Sequence, residues 1–595
     1  MSIPKPCENG LLIQATMSEK GDQVMRVKAN EIDVLIVGAG PVGLAMACEL
    51  RRHGVACRII DKQARPVQSS RALNVQARTL EVFAQMGIVE QILAAGTQAK
   101  GLTIYDRDRI LLRMNLQHIK ADESLYNFML ILPQSQTERI FGERLSELGG
   151  TVERSRELLT LKQEDTAIIA QVKAIDTDTE PVEEIRARWL IGCDGIRSQV
   201  RKALNIPFEG TTAPQEFLLA DMDLDWSKTR ETTHGWLTRA GLFAAFPLPS
   251  GQWRLFATAT ADTNKPEQSF PQASLEVFRH LLIQYTGDTQ TTMSNLTWAS
   301  NFRISYRMAS TYRQGHAFLA GDAAHVHSPF GGQGMNIGIQ DAYNLAWKLA
   351  LVLQGKAEEN LLNTYQEERW PVAKWVVGGA ENATGLLVTQ NPAMRWLRDH
   401  FFVPLLNMKA IQRYLALQTS ELNINYRRSS LSHLPNGNKA NAGSSSGWQR
   451  APHAGDRLLP GTILTARDYV KTNLLQALSG TQSHLLLFAG LDPSQATYSQ
   501  LSKLAASIEA QFNGSITAHL IMAASEQPAA LSWSGSILLD PQGRLQTTYG
   551  ARHAALYFVR PDGYIGFRSQ PIHEELLRDY LGQIFSVAQY SSLSV

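Results

Sequence analysis

The sequence predicts an α/β protein in three parts: a domain organised on a parallel sheet, a second β-sheet inserted into it, and a C-terminal α/β module. Three observations predict this class. A β-branched run from Ile32 to Val37 passes through glycines into a helix-forming stretch and a second strand ending at Asp61, a β-α-β unit of about 30 residues. Strand-like pieces without helical periodicity then accumulate from Glu216 to Trp298. Beyond a polar stretch rich in Ser, Asn and Gly, Arg428 to Arg450, strand and helix patterns alternate again.

The chain has 595 residues, enough for about two to four domains at roughly 150 residues each. Its 44% hydrophobic and 19% charged residues are globular values, which exclude a disordered or fibrous chain. A net charge of +2 points to no nucleic-acid partner. The four cysteines, Cys7, Cys48, Cys57 and Cys193, form no C-x-x-C pair, so no zinc ribbon or dithiol site is expected. The opening residues, through Asn30, lack the apolar core of a signal peptide. The longest apolar run, Val34 to Cys48, is 15 residues and is broken by three glycines and a proline. A membrane span needs about 20 apolar residues, so no membrane association and a cytoplasmic location are expected.

The first element carries Gly38-x-Gly40-x-x-Gly43, with Asp61 18 residues after Gly43. In a Rossmann-like unit the first glycine permits the tight turn, the second admits a pyrophosphate to the backbone, and the third lets helix and strand pack closely. The helix start then offers free N–H groups and partial positive charge to the diphosphate, and Asp61 can accept from a ribose hydroxyl.

A second strand-turn-helix motif runs Ala317-Phe318-Leu319-Ala320-Gly321-Asp322-Ala323-Ala324-His325, followed by Pro329-Phe330-Gly331-Gly332-Gln333-Gly334-Met335-Asn336. Asp322 at a strand end suits a polyol. The glycine-rich run opens a helix from Asn336 to Leu353, with apolar residues at Ile339, Ala342, Leu345, Ala346, Leu349 and Leu353 marking a buried face. Its start would face an electron-rich acceptor. A flavin meets both requirements: its ribityl chain carries hydroxyls, and its N1–C2=O edge becomes negative on reduction. Between the two motifs, Gly192-Cys193-Asp194-Gly195-Ile196-Arg197-Ser198-x-x-Arg201 places a turn after a strand and before a helix.

In their order and spacing these three segments resemble the FAD-dependent aromatic hydroxylases of the para-hydroxybenzoate hydroxylase and phenol hydroxylase type. The resemblance runs from about Ile32 to Pro371, where Leu362-x-x-Tyr365-x-x-Glu368-Arg369-x-Pro371 matches the family's helix ending. The C-terminal region, entered at Ala454-Gly455-Asp456-Arg457 and left at Val559-Arg560-Pro561-Asp562-Gly563-Tyr564, resembles the thioredoxin-like module of phenol and polyketide hydroxylases. No cysteine follows Cys193, so dithiol chemistry there is excluded.

The resemblance implies a Rossmann-like FAD-binding domain (32–215 and 299–428, with associated helices), a substrate-binding sheet (216–298), a linker (429–450), and a thioredoxin-like domain (451–595) after an N-terminal extension (1–31). It assigns cofactor contacts to Gly38, Gly40, Pro41, Val42, Gly43, Asp61, Lys62, Arg71, Gln134, Asp194, Gly321, Asp322, Pro329, Gly332, Gln333, Gly334, Met335 and Asn336. Two departures stand out: the family usually has Glu where Asp61 stands, and the acid that phenol hydroxylases place near the position of Leu73 is absent.

The implied reaction is hydroxylation of a phenolic or polyketide-like ring. NADPH or NADH reduces FAD, dioxygen adds at flavin C4a, and the ring attacks the distal oxygen of the hydroperoxide. With one dinucleotide fingerprint in the chain, the nicotinamide must dock without a Rossmann unit of its own. Trp236, Phe243 and Phe246 are candidates to contact the aromatic substrate, although Phe243 and Phe246, three apart on a strand, face opposite sides. No catalytic base is assigned, and a homodimer is compatible with the family.

Other patterns carry less. His325 and His327 lack a third ligand, so no metal is expected. Gly443 to Gly447 spells G-x-S-x-G inside a low-complexity stretch. His573-Glu574-Glu575-Leu576-Leu577 lacks a zincin's second histidine. The Trp-x-Trp-x-Ile-Pro signature of flavin halogenases is absent. Baeyer–Villiger oxygenation on the same scaffold and a non-catalytic flavin-bound protein remain alternatives.

Overall fold

The computed structural model describes residues 30–67, 72–176, 181–238, 241–259, 271–328, 332–387, 391–397, 400–401, 403–432, 446–529, 531 and 533–586. The strand Asn30–Val37 lies inside an eight-stranded sheet, with Cys57–Ile60 on one side and Glu183–Gly192 on the other, all parallel. Val152–Glu153 and Ala317–Leu319 extend the parallel set outward. Val34, Leu35 and Ile36 have no exposed surface, as expected for a strand covered on both faces. The chain leaves Asn30–Val37 toward Cys57–Ile60, while Glu183–Gly192 arrives on its opposite flank. The crevice between the two strand ends is a topological switch point, where ligands bind in open α/β sheets.

The helix Pro41–Arg52 starts directly at the glycine turn, with Pro41 at the first position, where its missing N–H costs nothing, and Arg51 and Arg52 in the last turn. It packs on Gln134–Glu147 and on the long helix Gly334–Leu353. Asn74–Val75, Met129–Ile131 and Thr97–Ala99 form a small sheet beside them.

The second sheet also has eight strands, and it reaches beyond 216–298. Its longest strands, Phe208–Asp225 and Thr292–Ala309, pair antiparallel and run back into the first domain. At one edge it takes in Gly101–Asp106 and Arg109–Asn115, and at the other His325–Val326. The reason is edge satisfaction: Gly101–Asp106 pairs in parallel with Thr233–Thr238, whose backbone groups would otherwise be left open. The helix Leu275–Thr286, capped by the Ser274 hydroxyl accepting from Val277 N at 3.3 Å, covers one face.

The C-terminal module is a seven-stranded mixed sheet, in which Ser483–Phe488 lies between parallel Ile516–Met522 and antiparallel Ala555–Val559. Residues 433–445 of the expected linker, including most of the G-x-S-x-G pattern, lie outside the described residues. The flanks are packed. Leu431 is buried and its carbonyl accepts from Tyr580 Oη at 2.9 Å, and Trp448 is wholly buried under the Arg568 guanidinium at 4.4 Å. Among the described residues no helix is long and apolar enough to cross a membrane, and no group of three or more His, Cys, Asp or Glu could hold a metal.

Trp448 therefore closes the core of the C-terminal module from the linker side. Trp448→Ala should cost about 3–5 kcal/mol of stability, read as a lower urea midpoint for the module's unfolding.

Candidate active site

The two glycine-lined helix starts meet. Gly321, at φ +60°, lies so close to Val42 that a Cβ on it would stand 2.7 Å from Val42 Cγ2, and one on Gly338 would stand 2.6 Å from the same atom. Val42, in the first turn of Pro41–Arg52, thus seats between the second motif's turn and the second turn of the long helix. The third motif joins them. A Cβ on Gly38, at φ +101°, would lie 2.5 Å from the Cys193 carbonyl oxygen. Arg201 donates to the Ala323 carbonyl at 2.8 Å and to that of Ile196 at 2.7 Å.

Gly40 differs from these crowded glycines. Its backbone is extended, no side chain caps the helix there, and nothing lies within 4 Å of a Cβ position. That open cradle over a helix start is what a pyrophosphate needs. Asp61 borders it: Oδ2 accepts from Ala39 N at 2.6 Å and Oδ1 from Gln63 N at 2.7 Å, and each oxygen keeps a lone pair for a ribose hydroxyl. Lys62 is exposed on the following turn. Gln134 opens the helix Gln134–Glu147, with its N–H on the Ala72 carbonyl at 3.2 Å and its amide donating to Glu138 at 2.7 Å.

At the second motif, Asp322 is exposed on a single 3-10 turn. Gly332 sits at φ +62° against Asn74, where a Cβ would fall 2.4 Å from Nδ2. Buried Asn336 locks the turn. Its Nδ2 donates to the carbonyls of Asn74 (2.8 Å) and Gly332 (2.7 Å), and its Oδ1 accepts from Gln76 N at 2.9 Å. Gln333 donates to the Gln418 carbonyl at 3.2 Å, and Met335 is half-buried against the main core. Gly334 begins the long helix. Arg71 and Pro329 lie outside the described residues.

Three solvent-shielded polar atoms beside these turns have no protein partner: Asp194 Oδ1, Asn74 Oδ1 and His327 Nε2. Asp194 uses its other oxygen to cap its own helix, accepting from Gln199 N at 2.6 Å, and burial raises its carboxyl above the usual range. His327 Nδ1 donates to the Ser328 carbonyl at 2.8 Å, so Nε2 is the unprotonated nitrogen; burial pushes its pKa down to about 4. It stands 3.6 Å from a Cβ position on Gly334. Buried polar atoms are normally satisfied. Orphans around two open helix starts fit a polar cofactor with hydroxyl and ring N–H donors, as FAD has.

Two of the substrate candidates lie inside a core cluster. Trp236 and Phe243 are 1% and 0% exposed and pack with Tyr105, Phe278 and Tyr285 under the helix Leu275–Thr286. That helix takes the face their strand positions point to. Half-buried Phe246 lies on the opposite face, between the main core and the cluster of Phe217, Phe256, Phe302 and Tyr306.

Sequence reasoning missed Asp341, and it met Arg369 only as part of a family motif, with no role at the site. Asp341 Oδ2 accepts from Gly321 N at 3.1 Å and pairs with His325 Nε2 at 2.7 Å, and Oδ1 accepts from Arg369 Nε at 2.7 Å. Burial alone would raise its pKa, but His325 and Arg369 hold it below the usual range. For Asp341 the signal is a carboxylate set among Ile339, Ala342 and Leu345 in a mostly apolar helix, where it is wholly buried along with Asn336, Gln340, Asn344 and Lys348, which recur at four-residue spacing.

A protein-family model described as FAD binding domain matches residues 31–380. The chain is 33% identical over 552 residues to the 6-methylpretetramide 4-monooxygenase of Streptomyces rimosus, covering 92% of each chain. It is 35% identical over 358 residues to the pentachlorophenol 4-monooxygenase of Sphingobium chlorophenolicum, covering 58% of this chain and 63% of that one. Among solved structures, the anhydrotetracycline hydroxylase OxyS of Streptomyces rimosus aligns with a TM-score of 0.71 at 27% identity, covering 93% of this chain and 99% of that one. The chain belongs to the FAD-binding-domain family. Within it, it is an FAD-dependent monooxygenase of the aromatic-hydroxylase type.

One titration near the site is testable. Glu421 is buried and accepts from the Gln340 amide below Asn336. Burial raises its pKa to about 8, against the lowering influence of Gln340, Arg369 and Arg78. Between about pH 4.5 and 8 the folded chain holds this proton and the unfolded chain does not, so stability falls as pH rises through that window. Glu421→Gln should flatten this fall and leave the protein more stable than the parent at pH 8, checked by urea midpoints at pH 5.5 and 8.

Proposed function

We propose that this monooxygenase hydroxylates a multi-ring phenolic substrate of the polyketide type, with NADPH or NADH as reductant and dioxygen as co-substrate. The observation that carries the cofactor half of this reading is the meeting of both helix starts on Val42, beside the exposed Asp322 and the open cradle at Gly40. FAD, when bound and reduced by the nicotinamide, supplies the electrons by which one oxygen atom of dioxygen enters the ring and the other leaves as water.

The residues of the chain bind, orient and shield. The first helix start and Asp61 take the diphosphate and ribose, Asp322 takes the ribityl hydroxyls, and the start at Gly334 faces negative charge developing on the ring system. His327, neutral and with a free lone pair, offers an acceptor to a donor at that start. Water exclusion falls to the second sheet. Its edge strand His325–Val326 runs directly into the glycine loop, so the sheet and the site share one piece of chain. The sheet face opposite Leu275–Thr286 carries a buried apolar and aromatic cluster, Phe217, Leu219, Phe256, Phe302, Ile304 and Tyr306, and it is on this side that a substrate of several fused rings would be enclosed. The full-length likeness to a 6-methylpretetramide 4-monooxygenase supports the same size class.

Two outcomes are expected. Asp322→Ala should weaken FAD binding by on the order of tenfold or more, the loss of one or two hydrogen bonds to a charged group, measured by fluorescence titration of the apoprotein; unchanged affinity would count against the ribityl assignment. NAD(P)H oxidation should be stimulated more by fused phenolic rings than by simple phenols, with a product heavier by one oxygen atom. Preference for the simple phenols would sink the substrate class, and a lactone or ester product would favour Baeyer–Villiger insertion instead.

A further inference from the structure

One buried contact between the C-terminal module and the rest of the chain leads toward the Gly321–Asp322 turn. Arg560, wholly buried, donates from Nη1 to Glu368 Oε1 at 2.5 Å and from Nη2 to Oε2 at 2.9 Å. It also holds Asp562, from Nε at 3.1 Å and Nη2 at 2.5 Å. Glu368 in turn accepts from Lys348 Nζ at 2.8 Å, Asn344 Nδ2 at 2.7 Å and Ser429 Oγ at 2.9 Å. These charges are shut off from water, so the cluster holds its geometry only while every member is present.

The next residue of the same helix, Asn363–Leu387, is Arg369. It donates to Asp341 at 2.7 Å, to the Ile337 carbonyl at 2.9 Å and to Tyr426 Oη at 2.9 Å. Asp341 holds the Gly321 amide and His325. A second link converges on the same arginine: the Tyr426 ring packs at 4.2 Å on Tyr564 of the C-terminal module, and the Arg560 guanidinium lies 5.4 Å from the Tyr426 ring centre. From Arg560 to the Gly321–Asp322 turn the path is thus Glu368, Arg369, Asp341, with hydrogen-bonded contacts on both sides of one peptide step. Glu368 and Arg369 are adjacent on one helical turn, so a shift that re-seats Glu368 must also turn Arg369.

We propose that Arg560 is a positioning residue for FAD, and that the C-terminal module serves as a built-in retention element that sets the Gly321–Asp322 turn through Glu368, Arg369 and Asp341. This rests on the reading of that turn as a cofactor contact.

The test measures FAD affinity of folded apoprotein, with folding checked by near-ultraviolet circular dichroism. Lysine cannot bridge two carboxylates as the guanidinium fork does, so Arg560→Lys should weaken FAD by on the order of tenfold, within the usual span of coupling between sites. Arg369→Lys should weaken it comparably. Because both act along one path, the double variant should be little weaker than the worse single variant, whereas general loosening would make the two effects multiply. Unchanged affinity in Arg560→Lys, or multiplying effects, would overturn the proposal. If Arg560→Lys does not fold, the isosteric Asp562→Asn takes its place under the same criteria. Asp322→Ala, run alongside, separates the two ideas: full affinity there removes the cofactor role of the turn, while a loss there with none in Arg560→Lys removes only the relay.

Discussion

The long helix Gly334–Leu353 is the constraint on which the rest of the molecule depends, because it is buried along most of its length yet is not apolar. Asn336, Gln340, Asn344 and Lys348 recur at four-residue spacing and therefore form one stripe on the helix surface. Each must find a partner or forfeit stability. Those partners come from every neighbouring part of the chain: Asn74 and Gln76 for Asn336, Thr79 and Glu421 for Gln340, Glu368 and Asp562 for Asn344, and Glu368 again for Lys348. The stripe starts at the glycine turn of Gly332 and ends at the C-terminal module. Satisfying it fixes where both of them sit.

Glycine serves the site in two opposite ways. At Gly38, Gly43, Gly321 and Gly338 a side chain would collide with atoms already present, so these glycines let elements touch. At Gly40 a side chain would collide with nothing in the protein, so that glycine keeps a space open. Close contact and open space together make the slot: the crowded positions clamp Val42 and the Cys193 loop in place, and the open one leaves helix-start amides unmasked where a diphosphate would lie. Alanine at the crowded positions would push the elements apart, whereas alanine at Gly40 would leave the fold intact and fill the cradle.

Local features are the ones legible in the amino-acid sequence. The β-α-β unit, Asp61, Asp322 and the glycine turns are each encoded within a few residues, and each stands where spacing puts it. The second sheet is legible only in its middle, because Gly101–Asp106 joins it by pairing with strands more than a hundred positions away and carries no mark of that partner. Trp236 and Phe243 show the limit of alternation: period two separates two faces but does not say which a helix will cover, and Leu275–Thr286 covers theirs. The polar stripe is written openly in the chain, yet its burial is not, because polar residues at helical spacing ordinarily face water. Similarly, the polar composition around Arg428 to Arg450 conceals Trp448, a fully buried anchor at the end of a stretch that reads as a spacer.

The three parts are joined by different kinds of force, and this bears on how such a protein can change its substrate. The C-terminal module is joined to the cofactor half by buried, paired charges, for which losing either partner strands the other in a low-dielectric interior. The second sheet closes one face with its own helix and on the other carries a cluster of Phe, Leu, Ile and Tyr side chains, against which Val377 and Ala380 of the helix Asn363–Leu387 pack. Apolar contacts tolerate exchange among residues of similar volume, at a cost usually below about 1.5 kcal/mol. The apolar face of the second sheet can therefore be reshaped piece by piece while the Gly321–Asp322 turn stays fixed, but the C-terminal module cannot drift without disturbing Glu368. In this architecture the C-terminal module is held by contacts that tolerate little change, and the second sheet by contacts that tolerate more.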